Sequence, residues 1–328
     1  MTTTIGLDVG GTKIAGAVVT DGVVVGRARR ETGIPSAESV ASASADLVRE
    51  LAQHHQVEGV GMAVAGFVDK SGAHVVYGTN LGMQDEPMKQ RMESLVDLPV
   101  ILDNDANAAA WGEFRYGAGK DSDDMLLVTV GTGIGGGIIL DQRLLRGAYG
   151  FAAEIGHMRV VPGGPQCGCG NRGCWEMYAS GSALLRAAKE LVASGTPHAS
   201  RLRDACGGRP KDLKGQAITE LAGKGDLACI ELLEDLGRWL GEGCASMTAI
   251  LDPEMIVVGG GVVEAGDLLL DPARHAYARH LTARGHRPQA SFVPARLGND
   301  AGMIGAAAIA AEAFCGGGDE AGHQATDA

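Results

Sequence analysis

The stretch TIGLDVGGTKIAGAVV (residues 4–19) predicts the structural unit from which the rest of the chain is built. Aliphatic and β-branched residues predict one strand on each side of Gly10 and Gly11, which provide the turn. The glycine spacing is also that of a P-loop, but Thr12 precedes Lys13, and the segment that follows reads as a strand. A P-loop needs a helix N-terminus to complete its anion cradle. The stretch therefore predicts a strand, a glycine turn and a second strand.

The same unit recurs later in the chain. MLLVTV (125–130) and GGIIL (136–140) predict strands around GTGIGGG (131–137), and MIVVGGG (255–261) predicts a buried strand that ends in glycines. GTGIGGG satisfies the dinucleotide-binding pattern GxGxxG, but it also runs into a strand, so that interpretation is not favoured. Strands alternate with helical segments elsewhere, which is typical of an α/β protein. We therefore expect two halves of similar construction with a cleft between them.

Glycine turns of this kind can bind phosphate or simply close a tight hairpin. A backbone without Cβ atoms can approach an anion, and successive N–H groups form a concave set of donors. Thr12 and Thr132 add hydroxyl donors, and Asp8 is placed to hold a hydrated Mg²⁺ ion. Two such turns, together with the glycines at 259–261, favour a nucleotide-binding cleft over ordinary hairpins.

The stretch LDNDANAAAWGEF (102–114) contains the candidate catalyst. Asp105 lies where a predicted strand ends and an Ala-rich helix begins, a position that directs a carboxylate into a cleft. Phosphoryl transfer needs a base that accepts the proton of the acceptor hydroxyl. Asp105 fits this role, with Asn104 orienting the hydroxyl. The alternative is that Asn104 or Asp105 only caps the helix.

A second unusual stretch, EIGHMRVVPGGPQCGCGNRGCWE (154–176), gathers three of the seven cysteines. A disulfide knot, a redox pair, a metal site and a substrate pocket are the alternatives. The first residues lack the basic and apolar regions of a secretory signal, so we expect a cytosolic protein, in which stable disulfides are uncommon. The spacing also differs from the redox pattern CxxC. One imidazole and three thiols are the ligand set of a closed structural zinc site, which we expect at His157, Cys167, Cys169 and Cys174.

The composition argues against several classes of function. With 328 residues and a net charge of −12, the sequence shows no basic cluster for binding nucleic acid. No apolar run approaches the roughly 20 residues of a membrane span. Cys229 and Cys244 fall on the apolar stripe of a predicted helix over 227–251, so we expect them in the core. The segment 316–328 is rich in glycine and polar residues, and we expect a disordered tail there.

Four motifs resemble those of the ROK family of sugar kinases and repressors, namely DVGGTK (8–13), NDANAAA (104–110), GTGIGGG (131–137) and EIGH…CGCGNRGCWE (154–176). Within that family, the chain is most similar to the bacterial ATP-dependent glucokinases. The resemblance covers nearly all of the sequence except the tail. It implies a two-domain, actin-like ATPase fold of the sugar kinase type, in which ribonuclease-H-like cores close over the sugar and ATP. We expect an N-terminal domain over 1–112, completed by a helix over 301–315, and a C-terminal domain over 113–300 with the zinc site.

The resemblance also assigns roles to residues. It implies that Asp105 is the catalytic base of a reaction that transfers the γ-phosphate of ATP to the 6-hydroxyl of glucose. The implied cofactors are ATP with Mg²⁺ and a structural Zn²⁺ ion, which would fix the segment that carries Glu154 and Glu176. The implied sugar ligands are Gly66, Asn80, Asn104, Asp105, Glu154, His157 and Glu176. The implied nucleotide contacts are Asp8, Gly10, Gly11, Thr12, Lys13, Gly131, Thr132, Gly133, Gly260 and Gly261.

Several alternatives stay open. The family pattern often has proline at the position of Ala65 and an aromatic residue at that of Met83, so fructose, mannose or N-acetylmannosamine is an alternative substrate. Polyphosphate is an alternative donor. A sugar-responsive repressor would need a helix-turn-helix domain before the first glycine turn, and Asp8 stands too early in the sequence for one. We expect a homodimer or homotetramer, without nucleic-acid or membrane partners.

Overall fold

The computed structural model describes residues 2–315, so the tail predicted over 316–328 lies outside the described residues. The strands are β1 (Thr3–Val9), β2 (Lys13–Thr20), β3 (Val23–Glu31), β4 (Val60–Val64), β5 (Phe67–Val68), β6 (Val75–Gly78), β7 (Met83–Glu86), β8 (Val100–Asn104), β9 (Met125–Val130), β10 (Ile134–Leu140), β11 (Arg143–Leu144), β12 (Met255–Gly259) and β13 (Ser291–Pro294). The helices are α1 (Ala37–Ala52), α2 (Met88–Glu93), α3 (Asp105–Tyr116), α4 (Glu176–Ala179), α5 (Gly181–Ala193), α6 (Ser200–Ala205), α7 (Gly215–Gly223), α8 (Leu227–Leu251), α9 (Asp267–His280) and α10 (Ala301–Cys315). The helix predicted over 227–251 is α8, and the strand predicted over 125–130 is β9.

The chain divides into two compact units. Among the described residues, unit 1 contains residues 2–120, the segment Leu144–Ala152 and residues 299–315. Unit 2 contains the two intervening parts of the chain, up to Gly298. The sequence places the first domain over 1–112, whereas α3 continues past that point in the structure. The sequence does not predict that the segment Leu144–Ala152 belongs to unit 1.

Each unit contains a five-stranded sheet of the same design. In unit 1 the strand order is β3-β2-β1-β4-β8, and in unit 2 it is β11-β10-β9-β12-β13. In both sheets the two strands that flank the glycine turn are antiparallel, and the next two strands run parallel to the first. The repeat that the glycine turns predict is therefore present. A three-stranded sheet, β5-β6-β7, is added in unit 1.

The last helix, α10, completes the core of unit 1. A Cβ atom on Gly6 of β1 would overlap the carbonyl oxygen of Met303, and one on Gly61 of β4 would overlap that of Ala306. The hydroxyl of Thr4 donates to the carbonyl oxygen of Ala307 at 2.8 Å. The backbone of α10 thus lies directly on β1 and β4, which only glycine permits at the two contact positions.

Helix α8 forms much of the core of unit 2. Cys229 and Cys244 are fully buried among aliphatic side chains, which confirms that they are core residues. Gly237 and Gly241 bring α8 close to the backbone of α9. Among the described residues, no helix combines the length and apolar character that crossing a membrane requires.

Candidate active site

At the start of α3, one residue caps the helix and the next carries the predicted catalytic carboxylate. The side-chain oxygen of Asn104 accepts hydrogen bonds from the backbone N–H groups of Ala106, at 2.9 Å, and Asn107, at 3.1 Å. Its amide nitrogen donates to the carbonyl oxygen of Gly66 at 3.1 Å. Asp105 is the first residue of the helix and also accepts from the N–H of Ala106 at 2.9 Å. Asn104 is therefore the cap, and Asp105 lies at the positive end of the helix dipole.

The first glycine turn is held by a residue that the sequence patterns do not identify. The N–H of Gly10 donates to the carbonyl oxygen of Lys13 at 3.1 Å and closes the turn. Thr32 braces it, because its N–H donates to the carbonyl oxygen of Thr12 at 3.0 Å and its hydroxyl donates to that of Gly10 at 3.2 Å. Thr32 is buried at the end of β3, and only the pairing of β3 with β2 places it here.

The turn lies against a predicted sugar ligand. A Cβ atom on Gly11 would be 2.6 Å from the carbonyl oxygen of Asn80, so the two backbones are in close contact. Unit 1 thus brings together Gly11, which is a predicted phosphate contact, and Asn80, which is a predicted sugar contact.

Asp8 precedes this turn near the end of β1. Burial raises the pKa of the Asp8 carboxyl above its ordinary value, and the nearby charge of Lys13 opposes the shift. A partly desolvated carboxylate oxygen next to a phosphate-type turn suits Mg²⁺, which prefers oxygen ligands and retains several waters. The residues present therefore fit the predicted cation.

The second glycine turn lies next to the third group of glycines. The N–H of Gly181, in the first turn of α5, donates to the carbonyl oxygen of Gly131 at 2.8 Å. Gly260 has a φ of +88°, and a Cβ atom there would lie 2.5 Å from the carbonyl oxygen of Val130. Unit 2 therefore places the predicted phosphate turn, Gly131 to Gly133, beside Gly260, another predicted nucleotide contact.

The predicted zinc ligands converge on one point of unit 2. Their ligand atoms all lie within 4.8 Å of one another. The distance from Cys167 Sγ to His157 Nδ1 is 3.6 Å, and that from Cys169 Sγ to Cys174 Sγ is also 3.6 Å. With Zn–S bonds of about 2.3 Å and Zn–N bonds of about 2.0–2.1 Å, neighbouring ligands of a tetrahedral zinc ion are about 3.5–3.8 Å apart. The four residues therefore fit a closed, four-coordinate zinc ion.

Tight turns and a buried tryptophan hold this zinc segment, residues 154–176, on the core. Gly173 has a φ of +77°, and a Cβ atom there would overlap the carbonyl oxygen of Val161. Trp175 is fully buried, and its ring N–H donates to the carbonyl oxygen of Trp239 in α8 at 2.9 Å. Cys174 and Glu176 flank Trp175, so α8 fixes the end of the segment that carries both groups.

The predicted sugar-binding side chains of unit 2 surround His157. Nδ1 of His157 faces Cys167 and lies 3.5 Å from Glu176 Oε1, whereas Nε2 lies 3.9 Å from Glu154 Oε2. Nδ1 is thus the nitrogen placed for zinc, and Nε2 lies on the side of Glu154. Burial raises the pKa of Glu154, His157 lowers it, and the charge of Glu176 raises it. Ala153, directly before Glu154, has a φ of +69°, a strained conformation for a residue with a Cβ atom.

Glu176 also touches the second glycine turn. A Cβ atom on Gly133 would lie 2.6 Å from Glu176 Oε2. The absence of a side chain at Gly133 therefore leaves room for the Glu176 carboxylate. The sequence patterns assign Gly133 only to phosphate, and nothing in its local spacing indicates this second contact.

Comparisons with known proteins find glucokinases among the relatives of this chain. The glucokinase of Streptomyces coelicolor is 42% identical over 310 residues, which cover 94% of this chain and 98% of that protein. The glucokinase of Halalkalibacterium halodurans is 38% identical over 315 residues, which cover 92% of each chain. The crystal structure of a ROK family glucokinase from Streptomyces griseus, in complex with glucose and AMPPNP, is 45% identical with a TM-score of 0.86. That similarity covers 94% of this chain and 99% of the other.

The likeness to this crystal structure confirms the fold that the motifs imply, the two-domain, actin-like fold of sugar kinases. A sequence profile of the ROK family matches residues 4–313. Nearly all of the described sequence is thus accounted for, and the chain belongs to the ROK family.

Proposed function

We propose that this protein is an ATP-dependent glucokinase, which transfers the γ-phosphate of ATP to the 6-hydroxyl of glucose. The observation that carries the proposal is the match, over 94% of the chain, to a glucokinase bound to glucose and AMPPNP. The geometry within each unit supports it, because the side chains that this chemistry needs are present. Since the reaction consumes ATP, we place the protein in the cytoplasm. The proposal of a homo-oligomer rests only on the resemblance to the ROK family.

Unit 1 supplies the base. Asp105 accepts the proton of the 6-hydroxyl while the sugar oxygen attacks the γ-phosphorus, and the bond from that phosphorus to the β-phosphate oxygen breaks to release ADP. Asn104 uses one N–H for the carbonyl oxygen of Gly66, and its second N–H can donate to a sugar hydroxyl. Asn80 adds a further polar contact for the sugar beside the first glycine turn.

Unit 2 supplies sugar acceptors on a fixed segment. Glu154, Glu176 and Nε2 of His157 accept hydrogen bonds from sugar hydroxyls, and the carboxylates form the stronger, charge-assisted bonds. His157 Nδ1 and the three thiolates would hold Zn²⁺, and four protein ligands would leave no position for a reacting water. The role of the zinc is therefore structural.

The glycine turns are proposed to hold the nucleotide. Backbone N–H groups of Gly11, Thr12, Thr132 and Gly133 face the phosphates, with the hydroxyls of Thr12 and Thr132 as additional donors. The N–H groups of Gly10 and Gly131 close the two turns through the carbonyl oxygens of Lys13 and Gly133. Asp8 would hold Mg²⁺, which would neutralise phosphate charge. Lys13, Gly260 and Gly261 complete the proposed nucleotide contacts.

The base assignment is tested with Asp105→Asn. A general base contributes about 10²- to 10⁴-fold in rate, so kcat is expected to fall by that factor while the dissociation constant for glucose changes little. Asp97→Asn is the matched control, because Asp97 is exposed in the loop before β8. A kcat near that of the wild type in Asp105→Asn would rule out Asp105 as the base.

The substrate assignment is tested with a coupled assay on a panel of sugars and donors. Glucose with ATP is expected to give the highest kcat/KM among glucose, fructose, mannose and N-acetylmannosamine. A higher kcat/KM with another sugar would refute glucose as the substrate, and a higher value with polyphosphate would refute ATP as the donor.

A further inference from the structure

An ion pair between the buried Asp103 and the half-buried Arg146 lies close in sequence to the proposed base. Asp103, near the end of β8, has a side chain that is 6% exposed. Its Oδ1 accepts from the N–H of Asn104 at 2.8 Å and from the side-chain amide of Asn107 at 2.9 Å. Its Oδ2 accepts from Nε of Arg146 at 2.7 Å. One carboxylate therefore joins the first turn of α3 to a residue more than forty positions later in the chain.

Arg146 belongs to the segment Leu144–Ala152, which returns to unit 1 and is held there at several points. The N–H of Ala152 donates to the carbonyl oxygen of Arg146 at 3.2 Å, so the segment is closed on itself. Gly150 has a φ of +97°, and a Cβ atom there would lie 2.6 Å from the backbone nitrogen of Lys70. The rings of Phe151 and Phe67 meet edge to face, with centroids 5.3 Å apart.

These contacts connect six residues in a ring around the start of α3. Phe67 follows Gly66, whose carbonyl oxygen is held by the Asn104 side chain. Asn104 follows Asp103 in sequence, and Asp103 pairs with Arg146. The six connected residues are, in order, Asp103, Asn104, Gly66, Phe67, Phe151 and Arg146. A shift of Arg146 would therefore reach Asn104 by two routes. One passes through Asp103, and the other passes through Phe151, Phe67 and Gly66.

We propose that Asp103 and Arg146 are positioning residues for phosphoryl transfer, because their ion pair fixes the backbone from which Asn104 and Asp105 project. The inference rests on the proposed role of Asp105 as the base. The Asp103 side chain accepts three hydrogen bonds, and the one from the Arg146 guanidinium is charge-assisted. Without Arg146, a buried negative charge would remain two residues from Asp105, and the turn would relax to solvate it.

The test compares Arg146→Gln, Asp103→Asn and the double variant with a matched ion pair elsewhere in unit 1. Arg91 and Glu86 provide the control, because their Nε to Oε1 distance is also 2.7 Å and their side chains are 39% and 14% exposed, against 34% for Arg146 and 6% for Asp103. For each variant, kcat, the KM values for glucose and ATP, and the melting temperature are measured. Hydrogen exchange of peptides that cover 104–110 reports on the first turn of α3 without reference to activity.

Arg146→Gln and Asp103→Asn are each expected to lower kcat about 10- to 100-fold, the effect of displacing a reacting group by about 1 Å, and to leave the KM for ATP near its wild-type value. The double variant is expected to be no worse than the poorer single variant, because both changes break one interaction. Exchange over 104–110 is expected to be faster in all three variants. Arg91→Gln is expected to retain wild-type kcat.

A folded Arg146→Gln protein with wild-type kcat would overturn the proposal, and so would an equal loss of kcat in Arg91→Gln. If Arg146→Gln does not fold, Arg146→Lys replaces it, because lysine keeps the charge without the planar geometry of the guanidinium. A reduced kcat in folded Arg146→Lys would then support the proposal, and a wild-type kcat would overturn it. A wild-type kcat in Asp105→Asn would instead refute the base assignment, an outcome distinct from failure of the ion pair.

Discussion

The contact between Gly133 and Glu176 predicts that a single methyl group on the glycine turn will weaken sugar binding. In Gly133→Ala the new Cβ atom would lie 2.6 Å from Glu176 Oε2, whereas ordinary van der Waals contact begins at 3.4 Å. The carboxylate must therefore move by at least about 0.8 Å, the difference between these distances. A hydrogen bond of about 2.8 Å that is lengthened by this amount reaches about 3.6 Å and is lost.

The magnitude follows from the type of bond that is lost. A hydrogen bond to a charged group contributes about 1.5–3 kcal/mol, and each 1.4 kcal/mol corresponds to about tenfold in affinity. The KM for glucose is therefore expected to rise about 10- to 150-fold. The free energy of unfolding should change by less than about 1 kcal/mol, because the atom in conflict is the end of a flexible side chain.

Steady-state kinetics with glucose and ATP varied separately measure this effect, with thermal unfolding to compare stability. Gly131→Ala is the comparison variant, since a Cβ atom at Gly131 meets no atom within 4 Å. It is expected to keep the wild-type KM for glucose, whatever its effect on the KM for ATP. A Gly133→Ala protein with wild-type KM for glucose would refute the reasoning, because Glu176 would then not need its present position.

Two further predictions concern the metal ions. Cys169→Ser is expected to contain less than one equivalent of zinc by elemental analysis and to bind glucose more weakly. Cys206→Ala, which changes a buried core cysteine, should retain the zinc. A metal-free wild-type protein would contradict the zinc assignment. Because burial raises the pKa of Asp8 above 3.8, the native state binds more protons than the unfolded state between 3.8 and the raised value, and stability falls as pH rises through that window. Asp8→Asn should therefore melt at a higher temperature than the wild type at pH 7 without nucleotide, and this difference should disappear below about pH 3.8. The variant should have little kinase activity. A variant less stable than the wild type at pH 7 would contradict the argument.

Features encoded by local spacing could be predicted from the sequence. The strand pairs around the glycine turns and helix α8 depend on hydrophobic periodicity, and the structure contains them. The zinc ligands lie within one short segment, so their convergence required only tight turns. The sequence alone does not separate the roles of Asn104 and Asp105, because a cap and a catalytic carboxylate occupy the same kind of position at a helix start. The hydrogen bonds of Asn104 show that it is the cap.

Contacts between distant segments could not be predicted in this way. Thr32 braces the first glycine turn only because β3 pairs with β2, and Arg146 meets Asp103 only because the chain returns to unit 1. Neither residue belongs to a recognisable motif. The contact of Gly133 with Glu176 likewise depends on how α4 packs beside the second glycine turn.

The position of α10 late in the sequence affects the order in which the two units fold during synthesis. Unit 2 is complete once Gly298 has been added, whereas unit 1, which begins the chain, still lacks the helix that lies on Gly6 and Gly61. At about 5–20 residues per second, β1 waits about 15–60 s for this partner. The half of the protein that is translated first therefore receives the last helix of its core only after unit 2 is complete, and β1 and β4 lack the cover of α10 until then.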